Sequence, residues 1–128
     1  MNLNDKVAIV TGAARGTGAA IAQRFCQSGA QVVLADIRDE AGEATAQSLG
    51  ASATYRSVDV TSTAAWAAAV EQTLEPPGRI DILVNNAGVL HQGAIENTSE
   101  ADFRRLLEVN TLGPFLGIQA VTPVMRET

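Results

Sequence analysis

Residues 6–18 of this 128-residue chain read KVAIVTGAARGTG, and this stretch decides the fold. The run Lys6–Thr11 is apolar and rich in β-branched side chains, which predicts a strand buried on both faces of a sheet. A glycine-rich turn follows, and from Gly16 to Ser28 apolar side chains recur at helical spacing before Gly29, a typical C-cap. A buried strand that turns through glycines into a helix is the opening unit of an α/β fold.

Strands and helices alternate along the remainder of the chain. Further strands are predicted at Gln31–Asp36, Thr54–Val58 and Ile80–Val84. The intervening helices are predicted at Asp39–Leu49 and Thr61–Leu74, the second stopped by Pro76-Pro77-Gly78. Ser99 and Asp102 then form a capping-box-like pair that starts a long last helix. Its apolar side chains are Phe103, Leu106, Leu107, Phe115 and Ile118.

This alternation predicts the topology. Right-handed crossovers between successive strands require a parallel sheet with helices on both faces. We therefore expect one Rossmann-type, doubly wound α/β domain over residues 1–128, with strand order 3-2-1-4, that stops before a fifth strand. Trp66 and Cys26 are expected as core side chains.

Composition excludes several classes of protein. The net charge of −5 and the pI near 4.7 leave no basic stripe to neutralise phosphates, so we expect no nucleic-acid partner. No apolar run reaches the roughly 18 residues of a membrane span, and the first residues do not resemble a signal peptide. The sequence is that of a cytoplasmic protein, and its single cysteine cannot form an internal disulfide.

The loop after the first strand has the pattern T-G-x-x-x-G-x-G, from Thr11 to Gly18. Glycines allow close backbone approach to a diphosphate, and the helix that follows presents free N–H groups at its positive end. Asp36 ends the second strand, 18 residues after Gly18, where a carboxylate would accept a hydrogen bond from an adenosine ribose 2′-OH and repel a 2′-phosphate. The alternative is a tight strand-to-helix turn with a surface aspartate.

With these motifs the chain resembles the short-chain dehydrogenase/reductase family over all 128 residues. Besides the glycine loop, Asp59-Val60 matches the family's pair near the adenine ring, and residues 85–88 match its N-N-A-G motif. The sequence looks most similar to bacterial secondary-alcohol and ketone enzymes, including hydroxysteroid dehydrogenases. The resemblance implies NAD, with NADP disfavoured, a small alcohol or ketone substrate, and a homo-oligomer, dimer or tetramer, built on the long helix. The cofactor-binding residues that it implies are Gly12, Arg15, Gly16, Thr17, Gly18, Asp36, Ile37, Asp59, Val60, Asn86, Ala87 and Gly88.

Two residues of the glycine loop depart from the usual pattern. Thr17 replaces a more common Leu or Ile, which predicts looser packing beneath the nicotinamide. Arg15 is a residue type frequent in NADP-preferring members and so argues against Asp36. Asp36 is given more weight, because Arg15 can swing to solvent or pair with a phosphate of either cofactor.

The family's proton-transfer groups are a Tyr and a Lys four residues apart and a Ser on the preceding strand. Tyr55 is the only tyrosine, and Asp59, not lysine, stands four residues after it. Tyr55 is therefore interpreted as a sheet residue with its hydroxyl at the rim. The resemblance implies that this chain binds cofactor without turning over, either as part of an oxidoreductase or as a non-catalytic NAD-binding module. A methyltransferase on a similar sheet is excluded by the glycine spacing and N-N-A-G.

Asn110 is the one catalytic position that the resemblance assigns within this chain. Pro114, four residues on, has no N–H to donate to the Asn110 carbonyl, so this carbonyl is free to hold a water. The alternative is a proline kink that only fits the helix to its neighbours. His91, in the loop after N-N-A-G, is either a solvated surface group or a substrate contact, and no second histidine or cysteine near it suggests a metal.

Overall fold

The computed structural model describes residues 1–76 and 78–128, so Pro77 of the predicted helix stop lies outside the described residues. The strands are β1 Val7–Thr11, β2 Gln31–Asp36, β3 Ala53–Ser57 and β4 Ile82–Val84. The helices are α1 Gly16–Gln27, α2 Asp39–Leu49, α3 Thr63–Thr73, α4 Glu100–Leu107 and α5 Gly113–Glu127. A short 3₁₀ turn at Ile95–Asn97 precedes α4, and a π-helical turn at Glu108–Leu112 joins α4 to α5.

The four strands form a parallel sheet in the order β3-β2-β1-β4, which confirms the predicted Rossmann-type α/β architecture. Thr11 of β1 is in register with Ala35 of β2, and Val10 with Val84 of β4. The C-terminal ends of these three strands therefore meet at one edge of the sheet. Ligands of doubly wound sheets bind at this edge.

Alternate side chains of β1 supply two apolar cores, one on each face of the sheet. Ile9 packs in a cluster with Trp66 of α3 and Val121 of α5. Val10 packs in the other cluster with Ala22 of α1. Trp66 is 1% exposed and its indole N–H donates to the Val60 carbonyl at 3.0 Å, so its predicted core position is confirmed.

Several predicted boundaries shift by one or two residues. The helix α3 begins at Thr63 and not at Thr61, because the Ser62 hydroxyl caps it by accepting from the Ala65 N–H at 3.1 Å. The strand β4 begins at Ile82 and not at Ile80, although Ile80 is fully buried. The strands predicted at Lys6 and Thr54 begin at Val7 and Ala53.

The predicted long last helix was wrong in its geometry, since it is not uniformly α-helical. The N–H of Gly113 donates to the carbonyl of Glu108, five residues back, as in a π-helix. Pro114 lies in the first turn of α5, where a missing N–H is tolerated. Asn110 therefore lies within a π turn, and Pro114 follows just after it. Within the described residues, no helix is both long enough and apolar enough to cross a membrane.

At the N-terminal ends of the strands, Asp81 links β1 to the start of β4. Its carboxylate accepts from the Val7 N–H at 2.9 Å and from two nitrogens of the Arg79 guanidinium, and Lys6 Nζ lies 3.5 Å away. The hydrogen bond from Arg79 contributes most to holding the pKa of Asp81 down at about 2. This carboxylate is therefore the acceptor that anchors the N-terminal end of the central strand β1 to the start of the edge strand β4.

Replacing Asp81 by Asn should lower the free energy of unfolding by about 1–2 kcal/mol at pH 7, because an amide N–H₂ would face the donors of Arg79 and Val7. The folded pKa lies below the unfolded one, so the carboxylate stabilises the fold above about pH 4 and loses this effect as the pH falls toward 2. Urea denaturation at pH 7 and pH 2 measures both values. Glu43→Gln, on the exposed face of α2, controls for the charge change. If Asp81→Asn lowered the free energy of unfolding as much at pH 2 as at pH 7, this role of the Asp81 carboxylate would be contradicted.

Candidate functional site

A cleft of about 310 Å³ opens at the C-terminal edge of the sheet. It is lined by residues from the loops after all four strands and from α4 and the π turn: Gly12, Arg15, Gly16, Thr17, Ala35, Asp36, Ile37, Arg38, Val58, Asp59, Val60, Asn86, Ala87, Gly88, Val89, Arg105 and Val109. The structure thus brings together every predicted cofactor-binding residue except Gly18.

The glycine loop presents one side to the cleft and packs the other against the protein. Gly12 and Gly16 have φ of +64° and +58°, which favour glycine, and a Cβ on Gly12 would lie 2.9 Å from the Cα of Ala87. Gly18 lies beneath the loop, where a Cβ would overlap the carbonyl oxygen of Gly12. Gly18 therefore brings α1 against the loop and does not itself line the cleft, so its role in cofactor binding stays a prediction.

The first turn of α1 opens into the cleft. Arg15 is the N-cap in an extended conformation, no side chain caps the helix, and its first turn contains no acidic residue. The N–H groups at the start of an α-helix have no intrahelical partner and carry the positive end of the helix dipole. The cleft-lining residues Gly16 and Thr17 belong to this turn, which is suited to bind an anion.

Asp36 forms the wall of the cleft at the end of β2, and its side chain is only 2% exposed. Its Oδ1 accepts from the N–H groups of Ile37 at 2.8 Å and Arg38 at 3.0 Å, and its Oδ2 accepts from the Ala14 N–H at 3.0 Å. A carboxylate offers about four acceptor positions, so these bonds leave about one, on Oδ2. Asp36 can accept one further hydroxyl while it holds the glycine loop to β2.

The loop after β4 is fastened to the end of β1 through Thr11. The Thr11 hydroxyl accepts from the N–H groups of Asn86 and Ala87, both at 3.0 Å, and donates to the Val84 carbonyl at 3.3 Å. The Asn86 amide donates back to the carbonyls of Thr11 at 3.1 Å and Gly12 at 3.3 Å. Thr11 was not predicted as a site residue, although it opens the T-G motif.

Asp59 and Val60 border the cleft beyond β3. The Asp59 carboxylate accepts from the hydroxyl of Thr61 at 2.7 Å and from its N–H at 2.9 Å, and these bonds lower the pKa of Asp59. Val60 is 9% exposed and packs near Gly113, where a Cβ would lie 2.8 Å from a Val60 methyl. The Asp59 carboxylate is thus bonded to the neighbouring Thr61. Val58 and Val60 give this end of the cleft an apolar surface.

Asn110 does not line the cleft but holds a residue that does. Its Nδ2 donates to the Val89 carbonyl and its Oδ1 accepts from the Val89 N–H, both at 2.8 Å. The side chain therefore fixes the segment after N-N-A-G in the manner of a β-strand partner. The sequence analysis considered only the backbone carbonyl of Asn110, whose binding of a water stays a prediction.

Two further arginines, which were not predicted as site residues, line the cleft. Arg38 follows β2 and its guanidinium lies 3.6 Å from Asp36 Oδ1, and Arg105 comes from α4. Arg38 was detectable from its position two residues after the acid. Arg105 was not, because nothing in the sequence distinguishes it from a solvated helix residue.

The remaining candidates lie outside the cleft. The ring of His91 is 3.9 Å from the Asp102 carboxylate and 3.4 Å from the Thr98 hydroxyl. Cys26 packs against the core that contains Val10, and burial raises the pKa of its thiol. In the part of the chain that the structure describes, no three His, Cys, Asp or Glu residues converge to hold a metal.

Tyr55 is a buried sheet residue, as predicted, and is 6% exposed. Its hydroxyl lies 2.7 Å from the Asp36 carbonyl and 2.6 Å from the Asp39 carboxylate. Burial, followed by the bond to Asp39, raises the pKa of Tyr55. The hydroxyl thus supports the β2–α2 turn and is kept from ionising.

Comparison with known proteins agrees with this geometry. The family model for short chain dehydrogenases matches residues 6–128. The chain belongs to the short-chain dehydrogenase family. A 3-alpha-(or 20-beta)-hydroxysteroid dehydrogenase of Mycobacterium tuberculosis is 46% identical over 122 residues, which are 95% of this chain and 47% of that protein. Galactitol 2-dehydrogenase of Agrobacterium fabrum is 41% identical over 125 residues, 98% of this chain and 49% of that enzyme.

A solved short-chain dehydrogenase structure superposes closely. The 3-ketoacyl-(acyl-carrier-protein) reductase from Brucella melitensis complexed with NADH has a TM-score of 0.95 and 37% identity, over 98% of this chain and 52% of that one. The chain spans about half the length of the curated relatives that it matches. Its family membership and its nicotinamide-cofactor fold rest on this shared half.

Replacing Thr11 by Val, which is nearly isosteric, should lower the free energy of unfolding by about 1–3 kcal/mol, because the N–H groups of Asn86 and Ala87 lose a buried acceptor. Thr11→Ser retains the hydroxyl and is the matched control. Chemical denaturation followed by circular dichroism measures the difference. Equal losses in the two variants would mean that the methyl group, and not the hydroxyl, matters.

Proposed function

We propose that residues 1–128 are the NAD(H)-binding part of an oxidoreductase that moves a hydride between nicotinamide and a secondary alcohol or ketone. The observation that supports this proposal is the buried hydrogen bond that joins the glycine loop to the Asp36 carboxylate beside the cleft at the strand ends. A ribose site and a diphosphate site are thereby placed side by side. The bound dinucleotide would supply the hydride chemistry, and the described residues would bind and orient it.

The diphosphate half of the proposed site is formed by backbone groups. The cleft-facing glycines leave room for an anion, and the uncapped first turn of α1 offers N–H donors to it. A Cβ at Gly12 would crowd Ala87, so the close approach of the two loops depends on this glycine.

We base the proposed preference for NAD over NADP on the adenosine half of the site. Asp36 has about one acceptor position left, which fits a ribose 2′-OH, and its negative charge would repel a 2′-phosphate. Arg15 and Arg38 border the same end of the cleft and favour a phosphate. We weigh Asp36 more heavily because it is held by three backbone donors, whereas Arg15 and Arg38 are exposed.

The nicotinamide half would lie by N-N-A-G, because β4 is on the far side of β1 from β2. Asn110 would act there through Val89, by holding the peptide that borders Gly88. Neither Tyr55 nor Lys6 provides a Tyr-Lys pair for proton transfer, so we propose that these residues alone bind cofactor without turning over. The alternative function is a non-catalytic NAD-binding module.

We also propose a class of substrate, an oligomeric state and a cellular compartment for this protein. The similarity to a hydroxysteroid dehydrogenase favours a cyclic or steroid-like secondary alcohol. Phe103, Leu107, Phe115 and Ile118 are each about half exposed on α4 and α5, which supports a homo-oligomer through this face. The acidic net charge supports a protein without nucleic-acid partners, and we propose that it is cytoplasmic.

The chain should bind NADH at least about tenfold more tightly than NADPH, because the phosphate of NADPH would meet the Asp36 carboxylate. Titration of the intrinsic nicotinamide fluorescence with protein gives both dissociation constants. Equal or tighter NADPH binding would assign the dominant role to Arg15 and Arg38. Saturable NADH binding without NADH oxidation, with ketones present, is the result expected of these 128 residues.

Asp36→Ala should reduce this preference for NADH to about twofold or less, because the repelling charge is removed. Absolute affinity for both cofactors should also fall, since the Ala14 N–H loses its acceptor. The ratio of the two dissociation constants is therefore the informative value. Glu40→Ala, which removes an exposed charge in the first turn of α2, is the matched control. If the ratio of the NADH and NADPH dissociation constants were unchanged in Asp36→Ala, Asp36 would not be the residue that selects NADH.

A further inference from the structure

The glycine loop has an inward side that never meets the cleft. Ala13 and Ala14 are 0% and 3% exposed and neither lines the cleft, whereas Gly12, Arg15 and Gly16 do. The Ala13 N–H donates to the Ala35 carbonyl at a long 3.4 Å. The loop is therefore held chiefly through the backbone groups of Ala14.

Both backbone groups of Ala14 have partners on the β2–α2 unit. Its N–H donates to Asp36 Oδ2 at 3.0 Å, and its carbonyl accepts from the Thr45 hydroxyl at 2.7 Å. Thr45 is half-buried in the second turn of α2, 31 residues away in sequence and outside the cleft. A threonine within a helix commonly bonds to a carbonyl of its own preceding turn. Thr45 instead reaches across to the loop.

The peptide geometry connects this contact to the cleft. The carbonyl of Ala14 and the N–H of Arg15 belong to one planar trans peptide and point in opposite directions. A carbonyl turned toward Thr45 therefore turns the Arg15 N–H away from α2. Arg15 is the N-cap of α1 and lines the cleft, so a contact that orients this peptide would also orient a donor beside the proposed diphosphate site.

We infer that Thr45 is a positioning residue for the diphosphate-binding loop, acting through the Ala14 carbonyl without touching the cofactor. This inference rests on the proposed NAD(H) binding. The Thr45 hydroxyl bonds to the carbonyl of Ala14, and the Asp36 carboxylate bonds to its N–H. The diphosphate-binding loop therefore moves with the β2–α2 unit, which carries the ribose-binding acid. Loss of the hydroxyl leaves the Ala14 carbonyl without this partner and frees the peptide to rotate.

Thr45→Val should raise the NADH dissociation constant about five- to tenfold, the effect of losing one buried hydrogen-bond partner. Thr45→Ser keeps the hydroxyl and should bind within about twofold of the native chain. Ser48→Ala is the matched control, because the Ser48 hydroxyl bonds only to the Thr45 carbonyl of its own helix at 2.7 Å. The ratio of NADH to NADPH affinity should not change, because the charge of Asp36 is retained.

Helix damage is distinguished by a second variant. Thr45→Ala places the best helix former in α2, so it tests loss of the hydroxyl with the helix favoured. It should match Thr45→Val in NADH affinity, and circular dichroism should show the native helix content. In NMR spectra of the cofactor-free chain, the Arg15 amide signal should shift in both variants and stay in place in Ser48→Ala.

Each result bears on the inference separately from the proposed function. Native-like NADH affinity in Thr45→Val and Thr45→Ala overturns it while the proposed function stands. Equal weakening in Thr45→Ser and Ser48→Ala also overturns it, because general disturbance of α2 would then be the cause. If the native chain does not take up NADH, the proposed function fails, and the role assigned to Thr45 fails with it.

Discussion

The hydrogen bond from the Ala14 N–H to the Asp36 carboxylate is the constraint on which the rest of this structure depends. It joins the loop after β1 to the end of β2 over 3.0 Å and is buried on both sides. A buried carboxylate needs donors, and here backbone N–H groups supply them without any partner charge of equal burial. The same bond fixes the glycine loop to the end of β2, beside the cleft. Asp36, which is suited to bind a ribose, and the glycine loop, which is suited to bind a diphosphate, are thus joined directly by a hydrogen bond.

A second fastening acts on the other side of β1. The Thr11 hydroxyl and the Asn86 amide bind the loops after β1 and β4 to each other through reciprocal hydrogen bonds. Because β1 lies between β2 and β4, its C-terminal loop is tied to both neighbours. The loops that line the cleft are therefore hydrogen-bonded to one another, and the two ends of the cleft are chemically distinct. One end has a carboxylate, and the other has the Gly88–Val89 backbone held by Asn110.

Membership of the short-chain dehydrogenase family and this arrangement support each other. The family assignment identifies the motifs, and the hydrogen bonds give each one a physical task. Gly18 makes room for the loop, Thr11 joins two loops, and the Asn110 side chain pairs with Val89. These tasks are structural in the first instance. Cofactor binding, as proposed, would use the surface that they leave free.

From the sequence alone, apolar periodicity and glycine spacing predicted the alternation of strands and helices, because both act within one strand-turn-helix unit. The strand order followed from the doubly wound topology that this alternation implies. The resemblance to the family supplied residues such as Asp59, Val60 and Asn86, which line the cleft. The tertiary structure was needed to show that the last helix passes through a π turn, that Arg105 lines the cleft, that Thr45 bonds to Ala14, and that Asn110 pairs with Val89. The last two contacts join residues that lie 31 and 21 positions apart in the sequence. Local propensity contains no information on such partners.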